Sequence, residues 1–268
     1  MSLQPIAPTL RGLEALTVDQ IANRPLIHQP LASGIEDIED NLTFTIYDQV
    51  PIYDHGKVVG VYEKGTVAQG AAGFRPIDDS MLVSGGEPLL TFLPTLLTDH
   101  YRLVVRGTRI DGIVTTSDLN KLAMRTLAYT LISHYEQSLA HVIVARTNDC
   151  WFSLLSSERM KKLDEAITRH TAGDTQLEPI EFTELTDKHT IIRKALGFPD
   201  RLRSKALVKI EDLRNPVAHS RALASDVEGV RRAVQVILLV RDLIGFLEDD
   251  ADQQYIGLLE EFASVARG

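Results

Sequence analysis

The sequence predicts an α+β protein, an N-terminal α/β half followed by an all-helical half. Three observations predict it. A strand–turn–strand pattern occurs at residues 49–62 and again at 101–115, which suggests a repeat. After Thr115 no convincing strand pattern occurs, and from Leu119 to Ile143 apolar residues keep a helical rhythm. Strands alternate with helices only in the first half, the mark of an α/β layer.

Composition sets the bounds. The chain has 268 residues, 44% hydrophobic and 24% charged, enough for one large domain or two ordinary ones. Its single cysteine, Cys150, permits no intrachain disulfide and fits a reducing, cytoplasmic compartment. Beside Trp151, Cys150 is expected to be a small buried residue. Met1 to Arg24 holds no sustained apolar run with a cleavage site, so no signal peptide is expected. The apolar run Ala233 to Val240 is broken by Gln235 and ended by Arg241, too short to span a bilayer, so no membrane association is expected.

Residues 1–16 read as an irregular leader. Thr17 and Gln20 fit a capping box, opening a helix that ends before Pro25. Pro25 to Pro30 is extended, and Ile35 to Asn41 is a short helix. Gln49 to Asp54 and Lys57 to Tyr62 form a hairpin about His55-Gly56. Met81-Leu82-Val83 is extended, and Glu87 to Thr98 is helical but shortened or kinked by Pro94. Tyr101 to Val105 and Ile110 to Thr115 form the second hairpin. Thr116-Ser117-Asp118 caps a long helix running to about Arg146.

These residues resemble a tandem pair of CBS domains over about 17–124, carried by the two hairpin strings and by Gly112-Ile113-Val114-Thr115-Thr116-Ser117-Asp118. The resemblance implies a regulatory adenine nucleotide (ATP, AMP or a relative) between the halves, held by Gly112, Thr115 and Asp118. An aspartate can accept from both ribose hydroxyls, and a threonine at a helix start can hold phosphate. The first copy has Val61-Tyr62-Glu63-Lys64-Gly65 after Gly60, without the threonine and aspartate, so at most one such site is expected. By themselves Ser117 and Asp118 also suit a plain helix cap in a module that only dimerises.

The second half, 125–268, reads as four to six helices. After the break at Thr147-Asn148-Asp149 come Ser157 to His170, then Phe182 to Leu196 closed by Gly197. A helix from near Arg203 carries Leu207, Ile210 and Leu213 inward. Ser225 to Glu228 is a capping box opening a helix to about Glu248, and Gln253 to Val265 is the last helix.

Within this half lies Arg214-Asn215-Pro216-Val217-Ala218-His219, where a fixed cation, an amide and a histidine fall within six residues. Pro216 suits a first helical turn with Asn215 as N-cap, which would place Arg214 and His219 about a positive helix end. The alternative is that the helix from Arg203 continues and kinks at Pro216. Read alone, the string also suits a helix start with no chemistry. In an all-helical setting it resembles the signature of HEPN-domain ribonucleases. That resemblance implies metal-independent RNA cleavage by Arg214, Asn215 and His219, a homodimer with a composite site, and products ending in a 2′,3′-cyclic phosphate. Relatives act in toxin and defence systems, so an antitoxin or other partner protein is a further expectation. The rival reading is a non-catalytic nucleotide-sensing dimer or scaffold.

Charge is compatible with an RNA partner. The chain carries a net charge of −9, yet Ile191 to Arg221 holds eight basic against three acidic residues. No phosphate-binding glycine loop, nucleophile elbow or zinc spacing occurs. His134 and His141 share a helix face more suggestive of packing than of a metal. Glu136, on the same helix, is a candidate to reach the Arg214 site.

Overall fold

The computed structural model describes residues 8–34, 38, 41, 46–65, 73–171, 177–197, 203–218, 222–223, 226–249 and 251–265. The chain is mixed α+β and divides into two compact units, Glu14–Met124 and Met1–Leu13 with Arg125–Gly268.

The first unit contains two sheets. In one, β1 (Gln29–Pro30) lies parallel to β2 (Gln49–Asp54), which pairs antiparallel with β3 (Lys57–Glu63) and through it with β4 (Arg75–Pro76). In the other, β5 (Leu82–Ser84) is parallel to β6 (Tyr101–Arg106), which pairs antiparallel with β7 (Arg109–Thr115). The repeat read from the sequence is present in the register. Gln49 opposes Glu63 and Asp54 opposes Lys57, while Tyr101 opposes Thr115 and Arg106 opposes Arg109, each 52 positions later. Even the register shift recurs, at Ile52/Tyr53 and at Val104/Val105. At the turns, His55 (φ 43) holds the left-handed position that Gly107 (φ 61) takes in the second copy.

The outer edge of each hairpin is covered by the segment leading into the other copy. Arg75 and Pro76, ahead of β5, pair with Val61 and Gly60 of β3. Asn23, ahead of β1, bridges Ile113 of β7, its N–H donating to the Ile113 carbonyl at 2.8 Å. Asn23 and Arg75 are again 52 positions apart. Glycine is required at the first of these crossings and favoured at the second. A Cβ on Gly60 would strike the Phe74 ring and come within 2.6 Å of the Arg75 carbonyl. A Cβ on Gly112 would meet the Asn23 carbonyl at 3.1 Å and the Arg24 side chain. Val61, Met81, Tyr101 and Leu103 form one buried cluster joining the two copies.

Several elements differ from expectation. The leader is not irregular over Pro8–Ala15, which is a 3₁₀ helix with Leu10 and Leu13 buried. Thr17 does cap, its N–H donating to Gln20 Oε1 at 3.2 Å, but the helix is only Val18–Gln20. The Glu87–Thr98 stretch is a short α1 (Leu89–Phe92) that tightens to 3₁₀ over Leu93–Leu97, where Pro94 removes a donor. The expected helix at 35–41 falls largely outside the described residues.

The helical unit is built from α2 (Leu122–Thr147), α3 (Ser157–Thr171), α4 (Leu185–Leu196), α5 (Val208–Ala218), α6 (Val227–Glu248) and α7 (Asp252–Val265). The first three residues of α2 fall in the α/β unit. Asn148 (φ 46) and Asp149 (φ 60) stop α2, residue types that tolerate the left-handed region. Gly197 (φ 70) closes α4. The cap of α6 is Asp226 rather than Ser225, its carboxylate accepting from the Gly229 N–H at 2.7 Å. From Val236 to Ile244 every residue of α6 is buried, including the adjacent pair Arg241 and Asp242, so it is the central helix. Trp151 is buried, but Cys150 beside it is exposed at the turn after α2, contrary to expectation. Among the described residues no helix is long and apolar enough to cross a membrane.

Gly60→Ala should cost about 1–3 kcal/mol, because the crossing backbone and ring must shift. Gly112→Ala should cost less, since the flexible Arg24 side chain can give way. Chemical denaturation of both variants checks the order.

Candidate functional site

In the helical unit, α5 is anchored by Ile210, Leu213 and Val217, all buried, and its other side carries Arg214 and Asn215, both exposed. The helix does not start at Asn215. It begins at Val208, follows a π turn over Arg203–Leu207, and runs through Pro216 to Ala218. Asn215 is therefore not an N-cap, and Arg214 to Ala218 continue a helix that began at Val208. The buried register of Ile210, Leu213 and Val217 overrides the proline, which forfeits only the bond to the Asp212 carbonyl. The N–H groups after Asn215 lie inside that helix rather than at its start, so the expected positive helix end is absent at the motif's Arg214 and Asn215. His219 lies outside the described residues.

Arg214 is brought to Glu136 of α2, Nε to Oε1 at 3.7 Å, with both side chains partly accessible. Beneath them lies a set of polar groups that sequence reasoning missed. His189 of α4, fully buried, shares a 2.7 Å hydrogen bond between Nδ1 and Glu211 Oε1, one turn before Arg214. Its ring packs against Tyr135, whose hydroxyl meets that of Tyr255 at 2.7 Å. Burial holds both phenols above their ordinary range. Lys188, 4% exposed, donates to the Thr183 carbonyl at 2.7 Å. Burial pulls its ammonium below the usual lysine range, opposed by the nearby Glu136, Asp187 and Glu181 carboxylates and aided by Arg214. Lys188, His189 and Glu211 each fall in a helical pattern that reads as an ordinary charged surface, so only the packing reveals them. His134 bonds Glu248 at 3.2 Å, and His141 is exposed. Among the described residues, no group of three or more His, Cys, Asp or Glu is placed to hold a metal ion.

In the α/β unit, Thr115 caps a 3₁₀ turn, Thr116–Asn120, and Lys121 in extended conformation separates that turn from α2. Thr116-Ser117-Asp118 thus lie inside the turn rather than capping the long helix. Gly112, Thr115 and Asp118 are brought together with Asn23 and Lys121. The Asp118 carboxylate, 4% exposed, accepts from Asn23 Nδ2 at 2.8 and 2.9 Å, from the Thr115 N–H at 2.7 Å and from Thr115 Oγ1 at 3.0 Å. Lys121 Nζ adds a contact at 3.0 Å and also donates to Asn23 Oδ1 and the Ile21 carbonyl. A ribose at Asp118 would have to displace Asn23. Next to this cluster Arg24 spans Asp19 and Asp111, and Arg106 also reaches Asp19.

The two-copy symmetry places a second cluster opposite. Glu63 occupies the register position of Thr115, and Arg75 that of Asn23. Tyr101 donates to Glu63 Oε1 at 2.6 Å, and Arg75 lies 3.8 Å from the same oxygen. Burial, then the Glu63 carboxylate, push the Tyr101 phenol well up. A cavity of about 210 Å³ opens here, lined by Glu63, Lys64, Arg75, Asp99, Tyr101 and Arg102 among others. It falls on the side of the copy that lacks the threonine and aspartate.

Compared with known proteins, the chain matches no family model, no curated protein and no solved structure.

Asp118→Ala should destabilise the α/β unit by about 1–3 kcal/mol, since it takes the acceptor from the Asn23 amide and the Thr115 N–H. A thermal melt reads this. Asp19 gives a pH test. Burial raises its carboxyl, but the Arg24 and Arg106 hydrogen bonds outweigh this and leave it below its ordinary value of 3.8. A depressed folded value means stability present above the unfolded value and lost as pH falls through the folded one. The stability difference between wild type and Asp19→Asn should therefore shrink between pH 5 and pH 2, as urea titrations across that range will show.

Proposed function

We propose that the chain is a metal-independent endoribonuclease whose helical unit carries the chemistry and whose α/β unit, read as a CBS pair, senses an adenine nucleotide. The observation that supports the first part is Arg214. It is an exposed guanidinium on a helix whose opposite face is locked into the core, it lies in a stretch of sequence rich in basic residues, and it has an ionisable partner within reach. Such a group can stabilise the charge that builds on a phosphodiester as the 2′-OH attacks. His219, by its place in the motif, would move a proton, an effect worth about 10²–10⁴-fold. One histidine per chain serves as either base or acid. The resemblance to HEPN ribonucleases supplies the other from a second copy in a homodimer.

For control, Gly112, Thr115 and Asp118 would hold the nucleotide, with the ribose replacing the Asn23 amide on Asp118. Lys121 contacts Asp118 and is the last residue before α2, so a change at Asp118 has a short covalent route into that helix. A coupling of about 1–3 kcal/mol would be enough for a switch. A second reading, a non-catalytic nucleotide-sensing scaffold, is favoured by the position of Arg214 and Asn215 within α5 rather than at a helix start.

Incubating wild type and His219→Ala with mixed cellular RNA in EDTA, with and without ATP or AMP, separates them. The ribonuclease reading expects cleavage by wild type alone, leaving 2′,3′-cyclic phosphate ends and sparing DNA. No cleavage under any condition leaves the scaffold.

A further inference from the structure

We infer that the Asn23 side chain is a built-in plug on the Asp118 site, an autoinhibitory contact that a nucleotide must displace in order to bind. The inference rests on the reading of Asp118 as the carboxylate that meets the nucleotide, and it adds how that site is kept closed. The coverage is direct. Asp118 is 4% exposed, whereas Asn23, bonded across it, is exposed. The amide uses both of its ends. Its Nδ2 donates to the two Asp118 oxygens at 2.8 and 2.9 Å, and its Oδ1 accepts from Lys121 Nζ at 2.7 Å. One side chain therefore occupies an anion and a cation together, the pair that a ligand carrying both hydroxyls and a phosphate would need.

The plug can move without the chain that carries it. The Asn23 backbone is held separately, its N–H donating to the Ile113 carbonyl at 2.8 Å and its carbonyl accepting from the Ile113 N–H at 3.3 Å. On one side Ile21 is wholly buried, and on the other Arg24 is tied to Asp111 at 2.9 Å and to Asp19 at 2.5 Å. A turn about χ1 of Asn23 swings the amide into solvent with all of these contacts kept. Lys121 stays beside Asp118 through its own 3.0 Å contact and its bond to the Ile21 carbonyl at 2.6 Å. The opened site then presents a carboxylate flanked by an ammonium and by the Thr115 hydroxyl. The fold does not impose the closure. Arg75 holds the register position of Asn23 in the other copy, yet it pairs with Asp78 at 3.1 Å, stands 3.8 Å from Glu63 and lines a cavity that is open. Closure at Asp118 is thus a property of the asparagine. A state that must open before binding lowers apparent affinity by the fraction that is open.

The test is calorimetric titration of AMP, and separately of ATP, into the full chain as wild type, Asn23→Ala, Asn23→Ser and Asp118→Ala, with a thermal melt of each. Asn23→Ala should bind about tenfold more tightly than wild type, the weight of one net hydrogen bond to a charged group, and Asp118→Ala should not bind. Asn23→Ser, too short to bridge Asp118 and Lys121, should also tighten binding, and it decides the matter if the alanine variant does not fold. In the wild type, saturating AMP should shift the Asn23 side-chain NH2 resonance to a solvent-exposed value while the backbone amides of Asn23 and Ile113 keep their protection. If removing the amide weakens binding or leaves affinity within about twofold, Asn23 is a ligand contact or a plain structural bond and the inference falls alone. If neither nucleotide binds wild type or either Asn23 variant, or if Asp118→Ala binds as wild type does, the nucleotide reading of Asp118 falls and takes this with it.

Discussion

A strand edge left open pairs with whatever strand it meets, and in the α/β unit that constraint governs the rest. Each hairpin has one bare outer edge, on β3 and on β7. Each is closed by the segment that leads into the other copy, Arg75-Pro76 on β3 and Asn23 on β7. This exchange requires glycine at position 60, where the crossing chain leaves no room for a side chain, and favours it at 112, where a Cβ would press on Asn23 and Arg24. It also carries Asn23 and Arg75 to equivalent places beside the ends of the two hairpins. Neither copy is then complete without the other's leader, which is why the two behave as one compact body.

From that common frame the two copies have diverged in chemistry. At the end of β7 stands Thr115, and the amide of Asn23 saturates the carboxylate that follows it. At the end of β3 stands Glu63, and Arg75 with the Tyr101 hydroxyl satisfies it while a cavity stays open. A buried carboxylate with several donors is costly to disturb. Any group displacing Asn23 from Asp118 would have to offer hydrogen bonds at least as good as those of the amide.

The helical unit meets a different constraint, that of holding polar groups in an interior. α6 is buried through Val236–Ile244 and carries Arg241 and Asp242 as a paired unit. Nearby, Tyr255, Tyr135, His189 and Glu211 form a run of contacts that starts in α7 and ends one turn from Arg214. Such a network fixes relative helix positions more sharply than apolar packing alone, because each donor has few acceptable partners. Arg214 and Glu136 lie at the solvent-exposed edge of that part of the unit.

Local pattern alone determined much of this protein. Strand alternation and turn residues placed both hairpins to within a residue or so, and the helical rhythm placed α2, α3, α6 and α7. Those signals are short-range and repeat along the chain. Other features depended on partners distant in sequence. Pro216 reads as a helix start, yet the packing of Ile210, Leu213 and Val217 carries α5 through it and leaves Arg214 and Asn215 inside the helix rather than at its start. Asp118 reads as an open acceptor, but Asn23, 95 residues earlier, fills it. Lys188, His189 and Glu211 read as surface until helices from four parts of the chain enclose them. A local pattern says which face a residue takes, whereas only tertiary structure decides what that face meets.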